Sequence, residues 1–161
     1  MRINRGGSAY RPDIIDLQLI EALQANARTP LSRIGRMVGL SQPATSERVR
    51  RLEDVGVITG YGARIDPAAL GLGLHVSMRL KVAFDRFEKC LEHLRGMPEV
   101  LEIHRLTGED CVEVRLLVTG PQDLAPLIDE VSRFGEVRTS IIVSSDPPRS
   151  IGRTMLRARQ R

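Results

Sequence analysis

The stretch "LSRIGRMVGLSQPATSERVRRLED" runs from Leu31 to Asp54. Leu31, Ile34 and Val38 form a short apolar stripe at helical spacing, with Thr29 as N-cap and Pro30 as first helical residue. Gly39 stops that helix, because glycine accepts the left-handed backbone of a helix C-terminus. Ser41 caps a further helix in which Thr45, Val49 and Leu52 share one face, and Gly56 ends it. Pro43 is tolerated there, in a first turn whose N–H groups are unpaired anyway. Upstream, Ile14, Leu17, Ile20 and Leu23 recur every third position between Asp13 and Asn26, and Asp13 and Asp16 lie at the end where the helix dipole favours acids.

Three short helices with a glycine turn between the second and third have the shape of a helix-turn-helix. Gly35 is small where the two helices must cross. Leu40, Thr45 and Val49 point inward, which leaves Gln42, Ser46, Glu47, Arg50 and Arg51 outward or flanking. Such a set suits a recognition helix: Arg and Gln each make two hydrogen bonds to one base, while flanking arginines and the helix N-terminus hold phosphates. The candidate DNA contacts are Ser41, Gln42, Thr45, Ser46, Glu47, Arg48, Arg50 and Arg51.

Charge is partitioned along the 161 residues. Residues 1–72 carry 10 Arg against 7 acids, residues 73–144 carry 9 basic residues against 12 acids, and residues 145–161 carry 5 Arg against one Asp. A basic front, an acidic middle and a basic tail point to two domains with different partners, one of them nucleic acid. No apolar run approaches the roughly 20 residues of a membrane span, and the basic start "MRINRGGSAYRPD" lacks the apolar centre of a secretory signal. It reads as a flexible arm over residues 1–11, on a cytoplasmic chain. Cys90 and Cys111 have no metal spacing and read as small buried hydrophobes in a reducing compartment. His75, His93 and His104 are scattered, with no zinc-like spacing, so neither a metal nor a cofactor is expected. No serine-histidine-aspartate arrangement, phosphate loop or HExxH is found, and no catalytic residue is assigned.

The helix-turn-helix part and its linker extend over residues 12–72. "VITGYGARI" from Val57 to Ile65 reads as a strand, weakened by two glycines. Residues 73–145 then show a clear rhythm. "HVSMRLKV" alternates, with Val76, Met78, Leu80 and Val82 on one face. Phe87, Cys90, Leu91 and Leu94 keep helical spacing. "VLEIHRLT" and "CVEVRLLV" are strands joined by a tight connection. Gly120-Pro121 opens a helix carrying Leu124, Leu127, Ile128 and Val131, and "VRTSIIVS" is a last strand. The order β-α-β-β-α-β is the ferredoxin-like split arrangement, with helices on one sheet face and the other face left for a partner sheet or water. The Pro- and Arg-rich tail, 146–161, reads as disordered.

The pieces "DLQLIEALQANAR", "VGLS", "RVRRLEDVGVITGY" and "DPAALG", in this order and spacing, resemble the opening domain of the Lrp/AsnC (feast/famine) transcription regulators. The second half resembles that family's sensing domain, with "PEVLEIHRLTGEDCVEV" as its landmark. The resemblance covers roughly residues 12–145. It implies an α+β chain: a winged helix-turn-helix domain, then a ferredoxin-like βαββαβ (RAM-type) domain. It further implies a homodimer assembling into octamers or larger rings, a pseudo-palindromic double-stranded DNA site, and a small effector such as an amino acid. The family's sensing loop often reads glycine, acid, aromatic, acid; here it is Gly108, Glu109, Asp110, Cys111, which implies a different effector or none. Arg138, Thr139 and Ser140 are candidates to line that site from a neighbouring subunit. The family also usually has an aliphatic residue where Thr45 stands; its methyl packs, but its hydroxyl needs a partner. Two rival functions follow from the same plan. One is a two-domain enzyme acting on a tetrapyrrole, which the acidic second half disfavours. The other is a non-specific architectural DNA binder.

Overall fold

The computed structural model describes residues 10–157. Residues 1–9 of the arm and 158–161 of the tail lie outside them. The described residues divide into two compact units, 10–63 together with 147–157, and 64–146.

In the first unit, α1 (Ile14–Ala25), α2 (Leu31–Val38) and α3 (Gln42–Asp54) pack around Leu19, Leu23, Ile34 and Val49. A capping box starts α1: the Asp16 N–H donates to Asp13 Oδ1 at 2.8 Å, and the Asp13 N–H donates to Asp16 Oδ2 at 3.2 Å. Pro30 rather than Thr29 is the N-cap of α2, and no side chain caps it. Gly39 closes α2 in the left-handed conformation, φ 75°, and Ser41 caps α3 by accepting from the Ala44 N–H at 3.4 Å.

The expected strand at Val57–Ile65 does not form, and among the described residues no strand pairs with this segment. The N–H groups of Val57 and Ile58 both donate to the Leu52 carbonyl, at 2.9 and 3.0 Å, which folds the chain back onto the end of α3. Beyond them Gly60 has φ 156°, and no neighbouring strand offers this segment a ladder among the described residues. Tyr61 instead donates to Glu53 Oε1 at 2.7 Å; burial and that bond push its phenol up to about 12.

The tail is also more ordered than its composition suggests. After Ile151 it turns into α6 (Arg153–Arg157), attached to α1 within the first unit.

The second unit is β1 (Leu74–Val82), α4 (Phe87–Gly96), β2 (Val100–Arg105), β3 (Val112–Val118), α5 (Pro121–Ser132) and β4 (Gly135–Ile141). The antiparallel sheet runs β2-β3-β1-β4, the ferredoxin-like order. Val76, Met78 and Leu80 of β1 and Val112, Val114 and Leu116 of β3 are buried against Cys90, Leu91 and Leu94 of α4 and Leu124, Leu127 and Val131 of α5. Burial pushes the Cys90 thiol up to about 11, so it stays protonated as a core residue. On the other sheet face, Ser77 donates to Glu113 at 2.8 Å, and Arg79 and Lys81 are half-exposed.

Candidate functional site

The recognition helix is α3, and its exposure divides the candidate contacts. Thr45, Val49 and Leu52 form its buried face. Gln42, Glu47, Arg50 and Arg51 are exposed, and Ser46 is half-buried. Ser41 stands at the helix N-terminus, exposed, with its hydroxyl engaged as cap. The exposed arginines further along the helix suit a phosphate-lined groove.

Two candidates change role. Thr45 is fully buried, and its hydroxyl donates to the Ser41 carbonyl at 2.8 Å; it cannot reach a base, and that carbonyl is the partner its hydroxyl needed. Arg48 turns toward α1, where one guanidinium nitrogen lies 2.7 Å from both Asp13 Oδ2 and Asp16 Oδ1. It braces α3 against α1 instead of facing a groove. The pair also changes the acid: the Asp16 backbone N–H, then the Arg48 guanidinium, hold the Asp13 carboxyl below the usual carboxylate range, against the opposing effect of partial burial.

Sequence reading missed this cluster, although Asp13 and Asp16, one helical turn apart, were its visible half. Tyr10 completes it. Its hydroxyl donates to Asp16 Oδ2 at 2.8 Å, and the Arg51 guanidinium lies over its ring at 5.5 Å. Arg33 and Arg36 on α2 were also missed. Both are exposed and add positive charge to the helix-turn-helix.

The second candidate site is the connection between β2 and β3. Gly108 has φ 113°, which favours glycine. Glu109 is exposed and lies 3.4 Å from Lys81 Nζ. Arg79 and Arg138 face each other across β1 and β4 as register partners. Asp110 reaches between them, 3.9 Å from Arg79 and 3.6 Å from Arg138, and so offsets a like-charge pair. Arg138 therefore approaches the loop of its own chain. Strand alternation puts Ser140 on that same face and Thr139 on the helix-covered face, opposite Met78. Cys111 turns away from the loop: the Val82 N–H donates to its Sγ at 3.4 Å, and the thiol faces the Leu80 and Val82 carbonyls. Only the Cys111 backbone is left for a ligand at the loop.

The AsnC-type helix-turn-helix domain matches residues 13–53, and the Lrp/AsnC ligand binding domain matches residues 75–149. The chain is 35% identical over 133 residues to the HTH-type transcriptional regulator YezC of Bacillus subtilis (strain 168), covering 83% of this chain and 94% of that one. The chain belongs to the Lrp/AsnC family of transcription regulators. Within the Lrp/AsnC family it is also 34% identical over 121 residues to AldR of Mycolicibacterium smegmatis, covering 73% of this chain and 71% of that one. The structure of B. subtilis LrpC superposes with a TM-score of 0.81 at 26% identity, over 87% of this chain and 100% of that one. The Neisseria meningitidis regulator NMB0573, in complex with L-Met, superposes with a TM-score of 0.80 at 26% identity, over 88% of this chain and 96% of that one. This Lrp/AsnC chain is a DNA-binding transcription regulator with an effector-binding domain. Among its described residues no helix is long and apolar enough to cross a membrane.

Proposed function

We propose that the chain acts as a dimer on an imperfect palindrome, with one α3 in each of two successive major grooves, and that a small amino acid or similar zwitterion tunes this binding. The observation that carries the DNA reading is the division of α3. Gln42, Glu47, Arg50 and Arg51 stay exposed while Thr45, Val49 and Leu52 are buried, so the groups able to read bases and phosphates share the side away from the core. Arg50 reads a base; Arg51, beside the α3 C-terminus and Tyr10, holds a phosphate.

The dimer reading rests on surface a lone chain leaves open. Tyr61 is 53% and Ile65 64% exposed in a segment without a ladder, and the second sheet face is polar and uncovered. A partner chain covers both, and dimers then associate into a ring.

The effector reading rests on Gly108, Glu109, Asp110 and Arg138 coming together, and on a relative in complex with L-Met. Backbone N–H groups of the loop and Arg138 suit a carboxylate, and Glu109 suits an ammonium. Asp110 is already spanned by two arginines, so it shapes the site more than it binds.

Calorimetry with the twenty standard amino acids near 1 mM tests the effector, together with light scattering for the assembly. One amino acid giving heat with the wild type and none with Gly108→Ala, while apo DNA binding is kept, supports the reading. A monomer at micromolar concentration, or heat that Gly108→Ala leaves unchanged, counts against it.

A further inference from the structure

The C-terminal segment is held by two side chains of α1. The Gln24 carboxamide takes both main-chain groups of Ile151: its Nε2 donates to the Ile151 carbonyl at 2.7 Å, and its Oε1 accepts from the Ile151 N–H at 2.9 Å. Glu21 takes the next residue but one. Its Oε1 accepts from the Arg153 N–H at 2.9 Å, and its Oε2 lies 3.1 Å from Arg153 Nη2. Between them Gly152 lies close against Glu21: a Cβ there would come within 2.5 Å of Oε1 and 3.2 Å of Cδ and Cγ, so a side chain at 152 pushes the carboxylate aside, off the Arg153 N–H. Three consecutive residues thus fit one receptor, two of them through the main chain.

The segment that does this follows β4 of the other unit. The crossing is pinned at its start, where the Ile142 N–H donates to the His75 carbonyl at 2.9 Å. It contains Pro147 and Pro148, and such a pair favours a stiff, extended spacer. The match to the ligand-binding family ends at residue 149, just before the docked residues. Residues 150–157 lie beyond the matched domain.

We infer that Glu21 and Gln24 form a receptor for residues 151–153, making the C-terminal segment a second tether between the DNA-binding and sensor units. A single linker near residue 64 lets the DNA-binding unit swing; a second crossing, stiff and anchored at both ends, removes much of that freedom. Each contact is modest in water, yet the tethered segment meets its receptor at an effective concentration on the order of millimolar, so modest contacts suffice. The functional consequence rests on the dimeric, palindromic reading above: restricting the swing of two recognition helices narrows the half-site spacings the dimer accepts.

Two measurements on the full chain test this. In hydrogen exchange, the amides of Ile151 and Arg153 are protected in the wild type and lose protection in Gly152→Val and in the Glu21→Ala/Gln24→Ala double variant. Exchange at the rate of an unstructured peptide in the wild type overturns the docking. In gel-shift titrations on paired half-sites separated in single-base-pair steps, the wild type prefers its best spacing over a neighbouring one by about tenfold, and both variants by about twofold. Gly152→Val leaves the charge unchanged, so a lost phosphate contact cannot mimic the effect. An unchanged spacing preference with the segment shown to be released overturns the tether. A wild type that binds no paired half-sites refutes the palindromic reading instead, and with it the spacing role, while the exchange result still decides the docking.

Discussion

Gly35 and Thr45 share one point of the crossing between α2 and α3. A Cβ on Gly35 would overlap Thr45 Oγ1 and lie 2.9 Å from the Leu40 carbonyl oxygen. The hydroxyl that takes the space is fixed by its bond to the Ser41 carbonyl. The missing side chain at 35 and the polar one at 45 therefore fit each other, and they set the angle at which the recognition helix is presented.

Gly35→Ala is expected to destabilise the DNA-binding unit by about 1–3 kcal/mol through overpacking, read as a lower denaturation midpoint. Thr45→Ala alone costs less, and the double variant recovers part of the loss because the colliding oxygen is gone. The contact with the Leu40 carbonyl remains, so recovery is incomplete. Strictly additive effects in the two-residue cycle would show that these residues do not share the crossing.

Arg48→Ala is expected to lower stability without changing which DNA is chosen. Its removal leaves the carboxylate of Asp16, a 4% exposed residue, with Tyr10 and the cap but no cation. Stranding a buried acceptor of this kind costs about 1–3 kcal/mol. Chemical denaturation measures the loss, and binding to matched and mismatched sites should keep its ratio. A changed ratio with unchanged stability would return Arg48 to the DNA face.

The depressed Asp13 carboxyl gives the first unit an acid limit. A group whose folded pKa lies below its unfolded value, about 3.9 for aspartate, adds stability that is complete above that value. The stability is lost as pH falls through the lower, folded value. The melting temperature should therefore be insensitive to Asp13 from neutral pH down to about 5 and fall below about 4. Asp13→Asn keeps a competent cap but should make that acid limb shallower. An identical limb in the variant would mean that Asp13 is not coupled to folding.

Most of the second unit was legible in sequence because its period-2 and helical stripes do not overlap. Val76, Met78 and Leu80 alternate cleanly, as do Val112, Val114 and Leu116, and all six are buried. The first unit was legible as three helices but not in its polar contacts. Arg48 lies between the buried face and the exposed face of α3, and only the position of α1 decides which way it turns. Thr45 was read both as inward-facing and as a DNA contact; its burial settles the matter. Val57–Ile65 has the composition of a strand, but a strand needs a neighbour to pair with, and composition does not supply one. The tail was misread for a related reason. Its Arg- and Pro-rich composition suggested disorder, whereas its docking depends on Glu21 and Gln24, more than a hundred residues earlier. At the sensing loop, residue types suggested the site but not that Cys111 faces β1 or that Asp110 is held between Arg79 and Arg138.

Whether the exposed face of α3 reads DNA sequence is decided by one titration series. Wild type, Arg50→Ala and Arg51→Ala are each titrated against a selected palindromic site and against random DNA at several salt concentrations. Arg50→Ala should weaken binding to the selected site by about 1–3 kcal/mol and leave random DNA nearly unaffected. Arg51→Ala should weaken both alike and reduce the salt slope by about one. Equal losses on selected and random DNA for Arg50→Ala would contradict a base-reading α3 and leave a helix that only holds phosphates.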